Sequence, residues 1–448
     1  MGLWLAGILG CKTFVDSTAR TRTALDANAP DQALRASNAA LGVKRADETP
    51  GTLKENDALL LLDRAMVLQA LAEYAPSSRD FGVADKAIEI LDFSRSTANE
   101  ISRYLFSDSA GPYKARPYEK LLLNSLNMIN YLALFNLQGA KVEARRFAVM
   151  RDYLLGEGGG SPRKLGPVSA PGSYLAGYTF EKAGEPQAAL RYYDEALQSG
   201  VFPSLAEPVK RLMQRSGYRT PQLESLATSI AIESPPSSQS DQGELLILVN
   251  YGRVPAMVAQ RVPIGLALTV AAVFLPPGAE QQARRLAGQG LVTWINYPDL
   301  APAVESYVDP AVTVDGVAQP IEVMANVDAI VRQAWNESRG RVMAAAVIRM
   351  IARAAIGAGV GVATGKASKR SGLGVLAALV TEGAMAAADK PDTRSWATLP
   401  ARMSLVRMRI SPGVHQVEVN VAGRRYIHEV TIAPSQSVVL NVTDLSRS

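Results

Sequence analysis

Few residues in this chain have the types and spacing that covalent chemistry needs. His428-Glu429 opens like the H-E-x-x-H of zinc proteases, in which two histidines one helical turn apart hold the metal and the glutamate acts as base. Here the fifth position is Ile432, and the surrounding alternation is that of a strand. Ser161-Pro162-Arg163-Lys164 has the S-x-x-K spacing of a serine nucleophile with its lysine, but it lies in a Gly/Pro-rich stretch without the companion motifs. A phosphate-cradling loop needs G-x-x-x-x-G-K followed by Ser or Thr. Before Gly365-Lys366 the first glycine falls on Val360, and Ala367 takes the hydroxyl position. Gly357 and Gly359 lead to Val362 instead of the third glycine of a dinucleotide fingerprint. No G-x-S-x-G is present, and the carboxylates are scattered without paired spacing.

The whole chain has two histidines and one cysteine, so a Cys/His metal cluster and an intrachain disulfide are both excluded. The expectation is therefore of no catalytic, cofactor-binding or metal-ligating residues. A hydrolase reading would need a deep polar pocket shared by His415 and His428, which are most simply face-alternating residues on neighbouring strands.

The lone cysteine, Cys11, directly follows the apolar run Gly2-Leu3-Trp4-Leu5-Ala6-Gly7-Ile8-Leu9-Gly10. An apolar run ending in a small residue reads as an export signal and its cleavage site, although nothing before Cys11 is charged. Ile8-Leu9-Gly10-Cys11 resembles the lipobox of bacterial lipoproteins. That resemblance implies that Cys11 becomes the acylated mature N-terminus, with acyl chains contributing ~0.8 kcal/mol per buried CH₂ to membrane anchoring. With Lys12 after the cysteine, in place of the Asp typical of inner-membrane retention, it implies the outer membrane. The alternative is a buried N-terminal cysteine among apolar neighbours. No stretch looks long enough to span a bilayer: Ile264 to Leu275 is about 12 residues against the ~20 required, and the run from Val342 is interrupted by Arg349 and Arg353.

Composition agrees with a folded, globular body. The chain has 448 residues, 48% of them hydrophobic and 20% charged, which excludes wholesale disorder. Lys+Arg 47 against Asp+Glu 42 leaves +5, too slight a surplus to argue for nucleic acid.

The elements follow from periodicity. Residues 12 to 235 carry long helical patterns: a helix from the Asn56-Asp57 cap through Leu68, a second from Val83 to Leu91, then Tyr118 to Leu134 and Ala140 to Leu155 with Gly139 at the turn. Gly156 to Gly172 reads as an exposed loop. Ser173 to Leu197 is the clearest repeat. Gly177 and Phe180 occupy the G-x-x-Y positions of a tetratricopeptide unit, Ala189 and Tyr193 the A-x-x-x-F positions, and Gly184 the turn. At least three such hairpins would be needed to bury a continuous core. The other reading is a plain helical bundle in which these aromatics are only core.

Pro117-Tyr118-Glu119-Lys120-Leu121, Asn130-Tyr131-Leu132-Ala133, Gly139-Ala140 and Glu143-Ala144-Arg145-Arg146 resemble a family of uncharacterised bacterial outer-membrane lipoproteins with tetratricopeptide-like helices. Asp392-Thr393-Arg394-Ser395-Trp396 is similar to that family too. One departure is Phe135-Asn136, where the family often turns with glycine. The resemblance implies location and architecture, and no chemistry.

After the Ser234-to-Ser240 linker the patterns become short. Glu244 to Tyr251 reads as a buried strand, and Leu291 to Tyr297 and Ala311 to Val314 as further strands, with a turn at Asp315-Gly316. From Asp328 the period turns helical, with Met343, Val347, Met350, Ile351 and Ala354 on one face. A Gly-rich stretch follows. Between Arg332 and Arg370, eight basic residues (Arg332, Arg339, Arg341, Arg349, Arg353, Lys366, Lys369, Arg370) meet one acid, Glu337. One reading is a buried small-residue hairpin with a solvated basic rim. The other is a lipid or partner surface formed by Arg349, Arg353, Lys366, Lys369 and Arg370. Four alternating strands close the chain, with turns at Ser411-Pro412-Gly413, Ala422-Gly423 and Ala433-Pro434-Ser435; Trp396 is expected as a core plug.

The expected fold class is α+β multidomain: a signal peptide at 1–10, an all-α tetratricopeptide-like hairpin stack at 11–233, a linker at 234–241, a mixed α/β region at 242–390 with its Gly-rich insert at 328–388, and a small β-sandwich-like module at 391–448. The expected function is a non-catalytic, lipid-anchored, periplasm-facing scaffold. Its partners would be other envelope proteins and the membrane, with no nucleic acid, cofactor or small-molecule substrate. The alternative is a regulatory accessory subunit of a cell-wall or envelope enzyme complex.

Overall fold

In the first half, apolar residues at helical spacing produce helices that pack in consecutive pairs. These are α1 (Phe14–Asp26) with α2 (Pro30–Leu41), α3 (Asp57–Ala70) with α4 (Tyr74–Ala87), α5 (Pro117–Ala133) with α6 (Leu137–Gly156), and α7 (Pro162–Lys182) with α8 (Pro186–Leu197). Two shorter helices, α9 (Ala206–Arg215) and α10 (Pro221–Thr228), continue the stack. The computed structural model describes residues 14–54, 56–88, 113, 115–156, 162–229, 241–289, 294–302, 307–357 and 391–447.

The four pairs share one turn. Three residues link the helices each time, and the middle one is left-handed: Asn28 (φ 51°), Ala72 (φ 58°), Phe135 (φ 56°) and Gly184 (φ 74°). The third linking residue donates its N–H to a carbonyl five residues back, Ala29 to Ala24, Glu73 to Leu68, Asn136 to Tyr131 and Glu185 to Phe180, at 2.8–2.9 Å. This closure satisfies the helix's last carbonyls and turns the chain back. Gly184 and Asn28 have residue types that favour such a backbone, whereas Ala72 and Phe135 do not.

Close approach within the pairs depends on glycine. A Cβ on Gly177 would overlap the ring of Tyr193, and one on Gly139 the ring of Tyr131. The same logic overturns the expected loop over 162–172, since α7 starts at Pro162 and is buried from Val168 onward; residues 157–161 of that expected loop lie outside the described residues. Pro162 stands at the helix start, where its missing N–H is harmless. A Cβ on Gly172 would overlap the ring of Phe147, so the glycine lets α7 lie tight on α6. This packing outweighs the penalty of Pro167 and Pro171 inside the helix. Two further readings are corrected. α4 begins at Tyr74, well before Val83. Asn56 caps α3 without its side chain, and the neighbouring Asp57 carboxylate accepts the Lys54 N–H at 2.8 Å.

The second half contains β1 (Gly243–Tyr251), β2 (Met257–Pro263), α11 (Ile264–Ala271), α12 (Ala279–Gly288), β3 (Trp294–Leu300), β4 (Ala311–Val314), β5 (Val317–Gln319), β6 (Glu322–Asn326), α13 (Val327–Gly357), β7 (Arg402–Ile410), β8 (Gly413–Val421), β9 (Arg424–Ile432) and β10 (Ser437–Asp444). A four-stranded sheet runs β10-β1-β7-β6, with β1 and β10 parallel and the other pairings antiparallel. A second runs β5-β4-β8-β9, all antiparallel, and β2-β3 form a separate ribbon.

The central strand β1 is buried at all nine positions. Leu245, Ile247 and Val249 join Val312, Val417, Val419 and Val430 of the second sheet in one cluster. Leu246 and Leu248 point the other way and join the helices' core, which runs from Phe14 to Leu445. A strand covered on both faces reads as a continuous apolar run, which is why Glu244–Tyr251 lacks alternation. The first sheet is thus a middle layer, with helices on one face and a second sheet on the other.

The four C-terminal strands all form, but β7 and β10 pair with β1 while β8 pairs with β4, so strand pairing crosses residue 391. A third cluster joins Ile295 and Tyr297 to Ala267, Leu268, Met343, Val347 and Ile351 of α11 and α13. In α13, the expected helical period from Asp328 is present from Val327, and the Asn326 side chain accepts the Ala329 N–H at 2.9 Å as its cap. The Ile264–Leu275 run forms α11 and a following 3-10 turn, and no described helix is long and apolar enough to cross a membrane.

Candidate functional site

Most sequence-predicted site residues lie outside the described residues. These are Cys11 with the signal-like run, Lys366, Lys369 and Arg370, and the linker up to Ser240. Arg353 lies within α13, and Arg349 is half-buried on the same helix.

The two histidines do share one face of the second sheet. His415 pairs with Val430 and His428 with Val417, which makes them diagonal neighbours. Their surroundings then separate them. Nδ1 of His415 donates to Asp315 Oδ2 at 2.7 Å, and Nε2 donates to the Ser411 carbonyl at 2.8 Å. With both nitrogens used as donors the ring favours its doubly protonated form, and the Asp315 hydrogen bond raises its pKa above the ordinary 6.5. Asp315 also accepts the Gln416 N–H through Oδ1 at 2.9 Å. The arrangement is a clamp that fastens the Asp315-Gly316 turn to β8, and it leaves no ring nitrogen for a general base. His428 has a buried Nε2 without a partner, and burial lowers its pKa below 6.5.

The helical pairs supply a concave surface instead. A groove of about 470 Å³ runs across α4, α5 and α6. Lys120 and Asp85 pair at its floor beside Asn124, whose side chain donates to the buried Glu143 at 3.0 Å. Burial pushes the Glu143 carboxyl above its ordinary value. Val142 and Val149 line the groove at 45% and 71% exposure, with Met150, Arg145 and Arg146 beside them. Exposed apolar side chains between fixed charges provide area and orientation for a binding partner. Among the described residues, no group of three or more His, Cys, Asp or Glu is placed to hold a metal ion.

Charged groups at the helix–sheet junction are structural in arrangement. Arg407 on β7 reaches both oxygens of Glu181 at 2.8–2.9 Å, Glu244 at 3.1 Å and the Tyr193 hydroxyl at 2.9 Å. Burial alone would raise Glu181, but Arg407 and Lys182 outweigh it and hold the carboxyl well below the ordinary range. A second buried arginine, Arg64, is bidentate to Asp80 at 2.6 and 2.9 Å and also donates to Asn38 at 2.8 Å. Trp396 is a core plug as expected, 1% exposed, with its Nε1 donating to Thr398 at 3.1 Å and its ring edge-on to Phe81.

Sequence reasoning missed the groove and these networks. Their residues stand far apart in the chain; Lys120, Glu143, Arg145, Arg146, Glu181, Tyr193, Glu244 and Trp396 all lie in segments with a readable local pattern, but nothing in those patterns says which of them meet. No family model matches this chain, and neither does any curated protein or solved structure.

Proposed function

We propose that the protein is a lipid-anchored, periplasm-facing scaffold of the bacterial outer membrane that binds other envelope proteins and carries out no catalysis. In this reading Cys11 bears the acyl chains, the helical pairs are a degenerate tetratricopeptide-like stack, and the two facing sheets form a small β-sandwich. The observation that supports it most is the fourfold repetition of one turn, at Asn28, Ala72, Phe135 and Gly184, with glycine–tyrosine contacts inside two of the pairs. Stacked hairpins of this kind present continuous concave surfaces to partner proteins, and the groove bearing Val142 and Val149 is such a surface.

The test is a photo-crosslinking residue placed at Val149 in living cells, with Val201, 81% exposed and outside the groove, as control. A discrete partner captured at Val149 and not at Val201, and lost on Val142→Asp, is expected; equal labelling at both sites would sink the reading. Cys11→Ala is expected to abolish acyl labelling and release the chain from the membrane fraction.

A further inference from the structure

Arg253 follows β1 after one intervening residue, Gly252, and its backbone is held from three sides. The preceding Gly252 turns with φ 66° and donates to the Asp444 carbonyl at 2.9 Å, Val254 donates to Leu399 at 3.0 Å, and the Tyr307 hydroxyl donates to the Arg253 carbonyl at 2.9 Å. The side chain is 2% exposed. Its Nη2 donates to Asp26 at the end of α1, and its Nε and Nη1 are buried with no hydrogen-bond partner. A guanidinium carries five N–H donors that cannot be titrated away, so leaving them unmet in the interior is costly.

Beside Arg253 is a cavity of about 50 Å³, lined by Arg22, Asp26, Arg447, Ala256 and Ala397 among others. Three guanidinium groups therefore share the cavity wall with one carboxylate, Asp26, while a second, Asp63, acts on Arg22 and Arg253 from outside the lining. Arg22 is held by its own helix, donating to Thr18 at 2.7 Å and to the Val15 carbonyl at 3.0 Å. Asp63 is buried and accepts from Thr398 at 2.7 Å. Four distant parts of the chain meet here: α1, the turn after β1, the segment around Ala397 and the C-terminal tail.

The geometry points to a binding site for a small oxyanion, a carboxylate or phosphoryl group, seated between Arg253, Arg22 and Arg447. Such a group lies against the Arg253 guanidinium, offsets the surplus positive charge of the three arginines, and fits a space that admits only a few atoms. Because its three arginine ligands come from α1, the turn after β1 and the C-terminal tail, the bound anion also cross-links the helical layer to the sheet.

The experiment follows thermal unfolding of the full chain at fixed ionic strength, titrated with sodium phosphate in one arm and sodium acetate in the other. A saturable rise in Tm is expected in at least one arm; saturation by phosphate assigns a phosphoryl ligand, and saturation by acetate a carboxylate. Arg447→Gln alters only the half-buried tail residue and should keep the fold while raising the half-saturating concentration about tenfold or more. Arg22→Gln should do the same; if it fails to fold, Arg447→Gln decides. A rise that never saturates in either arm, or half-saturation unchanged by Arg447→Gln, would show a cavity holding only water and overturn the assignment.

Discussion

Arg407 of β7 and Glu181 near the end of α7 meet at 2.8 Å with both side chains almost wholly buried, and this pair joins the helical layer to the central sheet. Glu244 on β1 and the hydroxyl of Tyr193 on α8 complete the ring around the same guanidinium. Removing Arg407 takes the most deeply buried cation from two buried carboxylates and leaves Lys182, shared between Glu181 and Glu244, and Arg211 on Glu181. Arg407→Met should therefore destabilise the fold by about 3–5 kcal/mol in urea unfolding. The double variant Arg407→Met with Glu181→Leu should recover part of that loss, and strictly additive effects would argue against the pairing. Glu181 and Glu244 are both held below their ordinary values. Their contribution is present above about pH 4.5 and is lost as pH falls through the folded values.

Asp63 has the opposite sign. Burial lifts its carboxyl from 3.8 to about 6, so between those values the folded state binds the proton more tightly than the unfolded chain. Its contribution to stability therefore falls as pH rises through that window, by roughly 3 kcal/mol at most. Asp63→Asn can still accept from Thr398. It should gain stability over the parent at pH 7 while matching it near pH 4, and a variant weaker than the parent at pH 7 would contradict the assignment.

The two histidines offer a direct spectroscopic check. In proton NMR, His415 should titrate above 6.5 and His428 below it, with His428→Gln used to assign the signals. Asp315 is held below its ordinary value by its hydrogen bond to His415. The histidine's share of the clamp is complete below about pH 6.5 and lost as pH rises through its folded value. The aspartate's share is complete above about pH 4 and lost as pH falls through its folded value. Coincident or reversed titrations would remove the clamp.

Backbone strain at one turn is testable by a single change. Phe135 is left-handed at φ 56° and 59% exposed, so its side chain adds little packing. Phe135→Gly should relieve a penalty of about 1–2 kcal/mol and raise Tm, whereas a lower Tm would show that the ring contributes more than the strain.

Gly177 and Gly82 should respond in opposite senses. Alanine at Gly177 meets the Tyr193 ring and should cost about 1–3 kcal/mol. Alanine at Gly82, inside α4, meets nothing within 4 Å and should gain about 0.5–1 kcal/mol. Equal effects in calorimetry would mean that the close approach of α7 and α8 is not what selects glycine.

The helices α5, α6 and α8, the start of α13, the turns at Asp315-Gly316 and Ala422-Gly423, and the buried strand Glu244–Tyr251 were all legible, because each announces itself through local period or turn chemistry. The turns at Ala72 and Phe135 were not, since neither residue type signals a left-handed backbone and the neighbouring helices impose it. The first half of α7, over 162–172, is hidden in the sequence for a related reason. Its prolines and glycines read as loop until Phe147 is seen to need a partner without a Cβ.

What sequence alone determined is the list of local elements, the mixed α+β character, and the absence of an intrachain disulfide in a chain with one cysteine. Only the tertiary structure decided which charges meet. Arg407 with Glu181, Arg64 with Asp80, and Arg22, Arg253 and Arg447 around one cavity are separated by tens to hundreds of residues. Periodicity reports what a residue does to its own element. Burial by distant elements decides whether its charge is screened, paired, or left to hold a ligand.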